Sequence, residues 1–101
     1  MKLGLCVLGC GSFAQTFAGS IQPLLSDINI YFASRSLLRA EHYSHMFQGT
    51  GAFGSYAEAV SNENIHAIYI CTPHYLHLEH AQLAASEKKH ILVEKPIAST
   101  V

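Results

Sequence analysis

Residues 3–21 read Leu3-Gly4-Leu5-Cys6-Val7-Leu8-Gly9-Cys10-Gly11-Ser12-Phe13-Ala14-Gln15-Thr16-Phe17-Ala18-Gly19-Ser20-Ile21, and the change of pattern inside them decides the fold class. Leu3 to Leu8 is a short apolar run that stops at Gly9, the mark of a strand buried on both faces. From Ser12 the period changes. Phe13, Phe17 and Ile21 recur at helical spacing, and Pro23 ends that helix or bends its last turn. Between strand and helix, Gly9-Cys10-Gly11-Ser12-Phe13-Ala14 matches G-x-G-x-x-A. Gly9 permits the tight turn, Gly11 lets the backbone approach a pyrophosphate, and Ala14 lets the helix pack close to the strand. The helix N-terminus adds free N–H groups and a partial positive charge for that anion. A glycine turn in this position can be purely structural; the alternating α/β chain that follows it favours the phosphate reading.

Outward from this turn the alternation continues. Ile28 to Ala33 reads as a second strand. Ser36 is placed to cap the next helix, whose Ala40, Tyr43 and Phe47 share one face and whose expected stop is Gly49. Ala52-Phe53 is expected as a short third strand and Tyr56 to Val60 as a short helix. His66-Ala67-Ile68-Tyr69-Ile70-Cys71 is a fourth strand. Thr72-Pro73 then sets a capping residue before Pro at the first position of a helix that runs to about Glu87. His90 to Val93 is a fifth strand, ended by Glu94-Lys95-Pro96. Strands alternating with helices at this spacing imply βαβ units, hence an α/β, Rossmann-like parallel sheet with flanking helices and right-handed crossovers.

The chain of 101 residues has room for one domain, and with 50% hydrophobic and 13% charged residues it can bury a core. A net charge of −1 without a Lys/Arg run excludes a nucleic-acid arm and a basic membrane-surface patch. Cys6, Cys10 and Cys71 are odd in number and lack disulfide-like spacing, which reads as reduced thiols in the cytoplasm. Met1 to Leu8 carries the charge of a signal peptide, but its apolar run is short and glycines follow it. A lipoprotein reading through Leu8-Gly9-Cys10 fits less well for the same reason. No segment approaches the ~18 apolar residues of a membrane span. A soluble cytoplasmic protein is expected.

The residue that reads the adenosine ribose is expected at the end of the second strand. An acid there suits the 2′-hydroxyl of NAD, whereas Arg and hydroxyl groups suit the 2′-phosphate of NADP. The sequence is Ala33-Ser34-Arg35-Ser36, with Arg39 one helical turn on and no carboxylate before Glu41. NADP is therefore favoured over NAD. The plainer alternative is a capping serine beside solvated arginines.

Thr72-Pro73-His74-Tyr75-Leu76-His77 follows strand four and Glu94-Lys95-Pro96 follows strand five. In a parallel sheet these ends share one edge with Gly9 to Ser12 and with Ser34-Arg35, where open α/β sheets bind ligands. On these residues, together with Ile97-Ala98, the chain resembles the N-terminal domain of the Gfo/Idh/MocA oxidoreductases (glucose–fructose oxidoreductase, inositol dehydrogenase, rhizopine catabolism) over essentially its whole length. The resemblance implies that Thr72, Pro73 and His74 line the nicotinamide half of the cofactor, and Cys71 and His77 beside them are counted among the cofactor-binding residues. It also implies that Lys95, beside Glu94, contacts nicotinamide and substrate, a sugar, polyol or related hydroxy compound. The family often has Asn where His74 stands. A Lys near the reacting hydroxyl orients it and stabilises developing negative charge.

The last crossover helix, the final strand and a second, substrate-binding domain are expected to be missing from this chain. Strand five would then form a sheet edge with Ile91, Leu92 and Val93 incompletely covered, favouring self-association. A zinc reading of His74, His77 and His80 with Cys71 and Glu79 is weaker, because three residues spaced by three drift around a helix and no Cys-x-x-Cys pair completes a site; no metal is expected. Cys10, at a helix N-terminus, is either a reactive thiol or a small residue tolerated in the turn. A non-catalytic dinucleotide-binding module and an inactive truncated fragment stand as alternatives to an enzyme domain.

Overall fold

The computed structural model describes residues 2–9, 11–24 and 26–93. The elements are β1 (Leu3–Leu8), α1 (Ser12–Ser20), β2 (Ile28–Ala33), α2 (Leu37–Met46), β3 (Gly51–Phe53), α3 (Tyr56–Ser61), β4 (Ala67–Ile70), α4 (His77–Ser86) and β5 (His90–Val93). Two 3-10 turns, Gln22–Leu24 and His74–Leu76, complete them. The strands form one sheet in the order β3-β2-β1-β4-β5, with every pair parallel. The chain winds from β1 outward through β2 to β3, then crosses back to lay β4 on the other side of β1. That reversal opens a crevice at the carboxyl ends of β1 and β4.

The unbroken apolar run of β1 is explained by burial on both faces. Leu5 and Val7 pack with Ile30, Phe32 and Tyr69 under α1 and α2. Cys6 and Leu8 pack with Ile68 and Ile70 under α3 and α4. Alternate residues of a strand point to opposite faces, so a strand covered on both sides must be apolar throughout. Ala14 and Ala18 are fully buried. Their small size lets α1 approach the sheet closely, and Phe17 meets the Tyr69 ring edge-on at 4.2 Å.

The cap expected at Ser36 is observed, and Ser55 caps α3 in the same way. Ser36 Oγ accepts the Arg39 amide, and Ser55 Oγ accepts the Glu58 amide. Three expectations need correction. The α2 stop uses Gln48, at φ 56°, as its left-handed residue instead of Gly49. Gly49 is the next residue, and its amide bonds the Ser44 carbonyl at 2.6 Å. Thr72 does not cap a helix, because its hydroxyl is turned to His80. Pro73 lies in extended backbone (φ −52°, ψ 145°), so the 3-10 turn intervenes and α4 begins only at His77.

Candidate functional site

The carboxyl ends of the strands are stitched together one residue past the ladder. The Gly9 amide donates to the Ala33 carbonyl (2.8 Å), the Cys71 amide to the Leu8 carbonyl (2.9 Å), and the Ser34 amide to the Phe53 carbonyl (3.1 Å). The glycine turn, the Ser34-Arg35 segment and the Cys71-Thr72 segment therefore emerge side by side.

Gly9 has φ 93°, a region where a side chain is strained, and a Cβ there would sit 3.0 Å from Thr72 Cγ2 and 3.1 Å from the Cys71 carbonyl. Gly11 is different. Its backbone is extended (φ −121°, ψ −164°), which any residue adopts, and a Cβ would meet nothing within 4 Å. Packing within the described residues thus makes no demand for glycine at 11. Its effect is to keep the outer face of the turn low enough for a ligand to reach the backbone, which fits a pyrophosphate. Gly11 is the N-cap of α1 and brings no side-chain cap, and the first turn holds no acid. The leading amides of a helix have no intrahelical acceptor, so this end is suited to an anion. Ser12 and Phe13 form the first turn; Ala14 is buried beneath it. Cys10 lies outside the described residues.

Tyr43 was legible only as a buried-face residue of α2. Its hydroxyl donates to the Gly11 carbonyl at 3.4 Å, tying α2 to the phosphate turn. A phenol tip on a buried ring normally finds such a partner, but its target could not be read from spacing.

At the end of β2, Ser34 is buried and its Oγ accepts the Ser36 amide at 3.2 Å. This local turn sets Arg35 outward into solvent, with Arg39 exposed on the first turn of α2. No carboxylate stands between Ile28 and Ala40.

Beyond β4, Thr72 is held at two atoms. Its Oγ1 is 2.7 Å from His80 Nδ1, and its carbonyl accepts from His77 Nε2 at 2.8 Å. His80 is buried, and burial pushes its ionisation below the ordinary 6.5, with Glu79 opposing and His77 reinforcing the shift. The Tyr56 ring of α3 closes on the imidazole at a centroid distance of 4.7 Å. Cys71 is half-buried, while Pro73 and His74 are exposed, the His74 ring standing edge-on to His77 at 5.0 Å. His77 and His80 thus converge on Thr72 and not on a common metal position. Among the described residues no group of three His, Cys, Asp or Glu is arranged to hold a metal ion. Glu94 and Lys95 lie outside the described residues, directly past the end of β5.

The geometry is that of a dinucleotide edge: an open glycine turn on a helix N-terminus, a cationic segment on one side and a threonine-proline segment on the other. The family model described as an oxidoreductase family with an NAD-binding Rossmann fold, Gfo/Idh/MocA, matches residues 3–101. The chain belongs to this family. It is 40% identical over 72 residues, 71% of its length, to an uncharacterized oxidoreductase of Rhizobium meliloti, of which it covers 22%. Among solved structures it is similar to a 3-ketoreductase from Actinomadura kijaniata in complex with NADP and TDP-benzene. That likeness has a TM-score of 0.84 at 26% identity and covers 96% of this chain and 30% of that one. It is also similar to levoglucosan dehydrogenase in complex with NADH and levoglucosan, with a TM-score of 0.76 at 25% identity, covering 95% of this chain and 28% of that one. The chain therefore spans less than a third of the length of these relatives. As a Gfo/Idh/MocA domain it carries the glycine turn and the Thr72-Pro73 segment. No helix among the described residues is long and apolar enough to cross a membrane.

Proposed function

We propose that the chain is the nucleotide-binding domain of an oxidoreductase that moves hydride between NADP(H), in preference to NAD(H), and a sugar, polyol or related hydroxy compound. The observation that carries this reading is the placement of Arg35 beside the Gly9–Gly11 turn on a sheet edge whose β2 end bears no carboxylate. The open turn and the α1 N-terminus would hold the pyrophosphate, with Gly9, Gly11 and Ser12 nearest to it. Ser34, Arg35 and Arg39 would hold the 2′-phosphate, since a guanidinium binds phosphate bidentately and a carboxylate would repel it. Cys71, Thr72, Pro73, His74 and His77 would border the nicotinamide half. When bound, the dinucleotide supplies the hydride donor or acceptor. Lys95, following Glu94, would orient the substrate hydroxyl and stabilise charge developing on its oxygen.

One solved relative carries NADP and the other NADH, so the preference rests on Arg35 and not on the fold. The levoglucosan complex of the second supports a sugar-like substrate. The remaining acid/base group and most of the substrate pocket are assigned to a further domain, and the 101-residue chain by itself is expected to show no turnover. Calorimetric titration with NADPH and NADH tests the reading. Arg35→Ala should weaken NADPH by about tenfold or more, since hydrogen bonds to charged groups are worth about 1.5–3 kcal/mol, and leave NADH little changed. Equal affinity of wild type and Arg35→Ala for NADPH would refute the 2′-phosphate assignment. Failure of both nucleotides to bind folded protein would refute the site.

A further inference from the structure

Thr72 stands between the phosphate turn and α4, and each of its substituents has a separate task. The methyl carbon Cγ2 lies against Gly9, 3.0 Å from the position a Cβ would take there. The hydroxyl meets His80 Nδ1 at 2.7 Å, and the carbonyl is held by His77. Methyl and hydroxyl share one tetrahedral carbon, so whatever fixes the hydroxyl also fixes the methyl. Given the nucleotide reading of this edge, we propose that His80 is a positioning residue for the cofactor site: it locks the Thr72 rotamer that packs its methyl under Gly9, and so shapes a phosphate turn that His80 itself never touches.

Thr72 is 5% and His80 3% exposed, which leaves little water to replace either partner. A threonine deprived of His80 would keep a buried hydroxyl without its partner, a strong drive to rotate about χ1. Any such rotation puts a different substituent against Gly9, on the side where its turn faces Thr72. The groups facing the imidazole are Thr72 from the β4 end, Tyr56 from α3, and His77 and Glu79 from α4 itself. Ionisation of His80 would turn Nδ1 into an obligate donor and force the Thr72 hydroxyl to act as acceptor.

The test pairs two readouts on wild type, His80→Leu and His80→Asn. The first is the amide resonances of Gly9 and Thr72 without nucleotide, followed from about pH 7.5 to about pH 5.5, the range in which histidines titrate. The second is calorimetric affinity for NADPH and NADH over the same range. His80→Leu should shift the Gly9 resonance and weaken both nucleotides by about tenfold, the effect of one lost buried hydrogen bond. His80→Asn, which keeps a polar atom near the Nδ1 position, should recover most of the affinity. In wild type the Gly9 resonance should follow the His80 titration. An unmoved Gly9 resonance in folded His80→Leu would overturn the proposal. So would affinity losses that are equal in the two variants and track only their loss of melting temperature. Should His80→Leu not fold, the Asn variant and the wild-type titration decide. Should wild type bind neither nucleotide, the nucleotide reading fails while the Gly9 resonance still judges the brace.

Discussion

Gly9 and His80 show how single residues near this sheet edge are constrained from two directions. At Gly9 a positive φ coincides with crowding by Thr72 and Cys71. Gly9→Ala is therefore expected to cost about 1–3 kcal/mol of stability and to abolish nucleotide binding, as read by urea denaturation and calorimetry. Gly11→Ala meets no atom of the described residues within 4 Å, so it should leave stability nearly unchanged and weaken only the nucleotide. A protein destabilised equally by both substitutions would contradict this division. His80 makes stability depend on pH. Its ionisation lies below 6.5 in the folded chain because burial disfavours the cation. Between that lowered value and 6.5 the unfolded chain holds a proton that the folded chain lacks, so stability rises with pH across this window and falls on acidification. Well above 6.5 the imidazole is uncharged in both states and contributes nothing to the slope. The urea midpoint should thus fall as pH drops below 6.5, and His80→Leu should flatten that fall. The same slope in the variant would assign the acid sensitivity elsewhere.

Helix ends form the next scale. Both α2 and α4 close with a left-handed residue that is not glycine, Gln48 at φ 56° and Lys88 at φ 59°. In each the following amide reaches back to the helix, Gly49 to the Ser44 carbonyl and Lys89 to the Ala84 carbonyl. This stop satisfies a terminal carbonyl of each helix but leaves a side chain in strained backbone. Gln48→Gly and Lys88→Gly should each stabilise the protein by about 0.5–1 kcal/mol, measured as a rise in the denaturation midpoint at unchanged slope. A drop on either substitution would mean that the side chain contributes more than the strain costs. The Gly49 expectation failed by one residue because a glycine marks a helix end without saying which position of the stop it occupies. The Thr72-Pro73 expectation failed for a tertiary reason: a buried histidine from the following helix competes for the threonine hydroxyl that would otherwise cap it.

At the scale of the whole molecule, the sheet formed by the described residues ends on two unequal edges. β3 is three residues long, too short to recruit much, whereas β5 presents Leu92 at 50% and Val93 at 42% exposure. Leu92 pairs in register with Tyr69, and that face of the sheet is covered over β4 by Phe17 of α1 but not over β5 among the described residues. An uncovered apolar edge strand pairs readily with another chain. We therefore expect the chain to self-associate with concentration in sedimentation velocity and Leu92→Lys to suppress this; a wild-type monomer at every concentration would rule the edge out. Much of this architecture was legible in the residues alone. The strand runs, the Gly9–Ala14 turn and the alternation of elements follow from local rules of sterics and burial, so α/β class, parallel sheet and the glycine turn between β1 and α1 could be read without coordinates. The partners of Tyr43, Thr72, His77 and His80 could not. Tyr43 meets Gly11 across 32 positions in sequence, and the Thr72 hydroxyl chooses a buried imidazole over the backbone. Hydrophobic pattern says which way a side chain faces. Only the packed fold, by excluding water, decides which polar atom waits there to meet it.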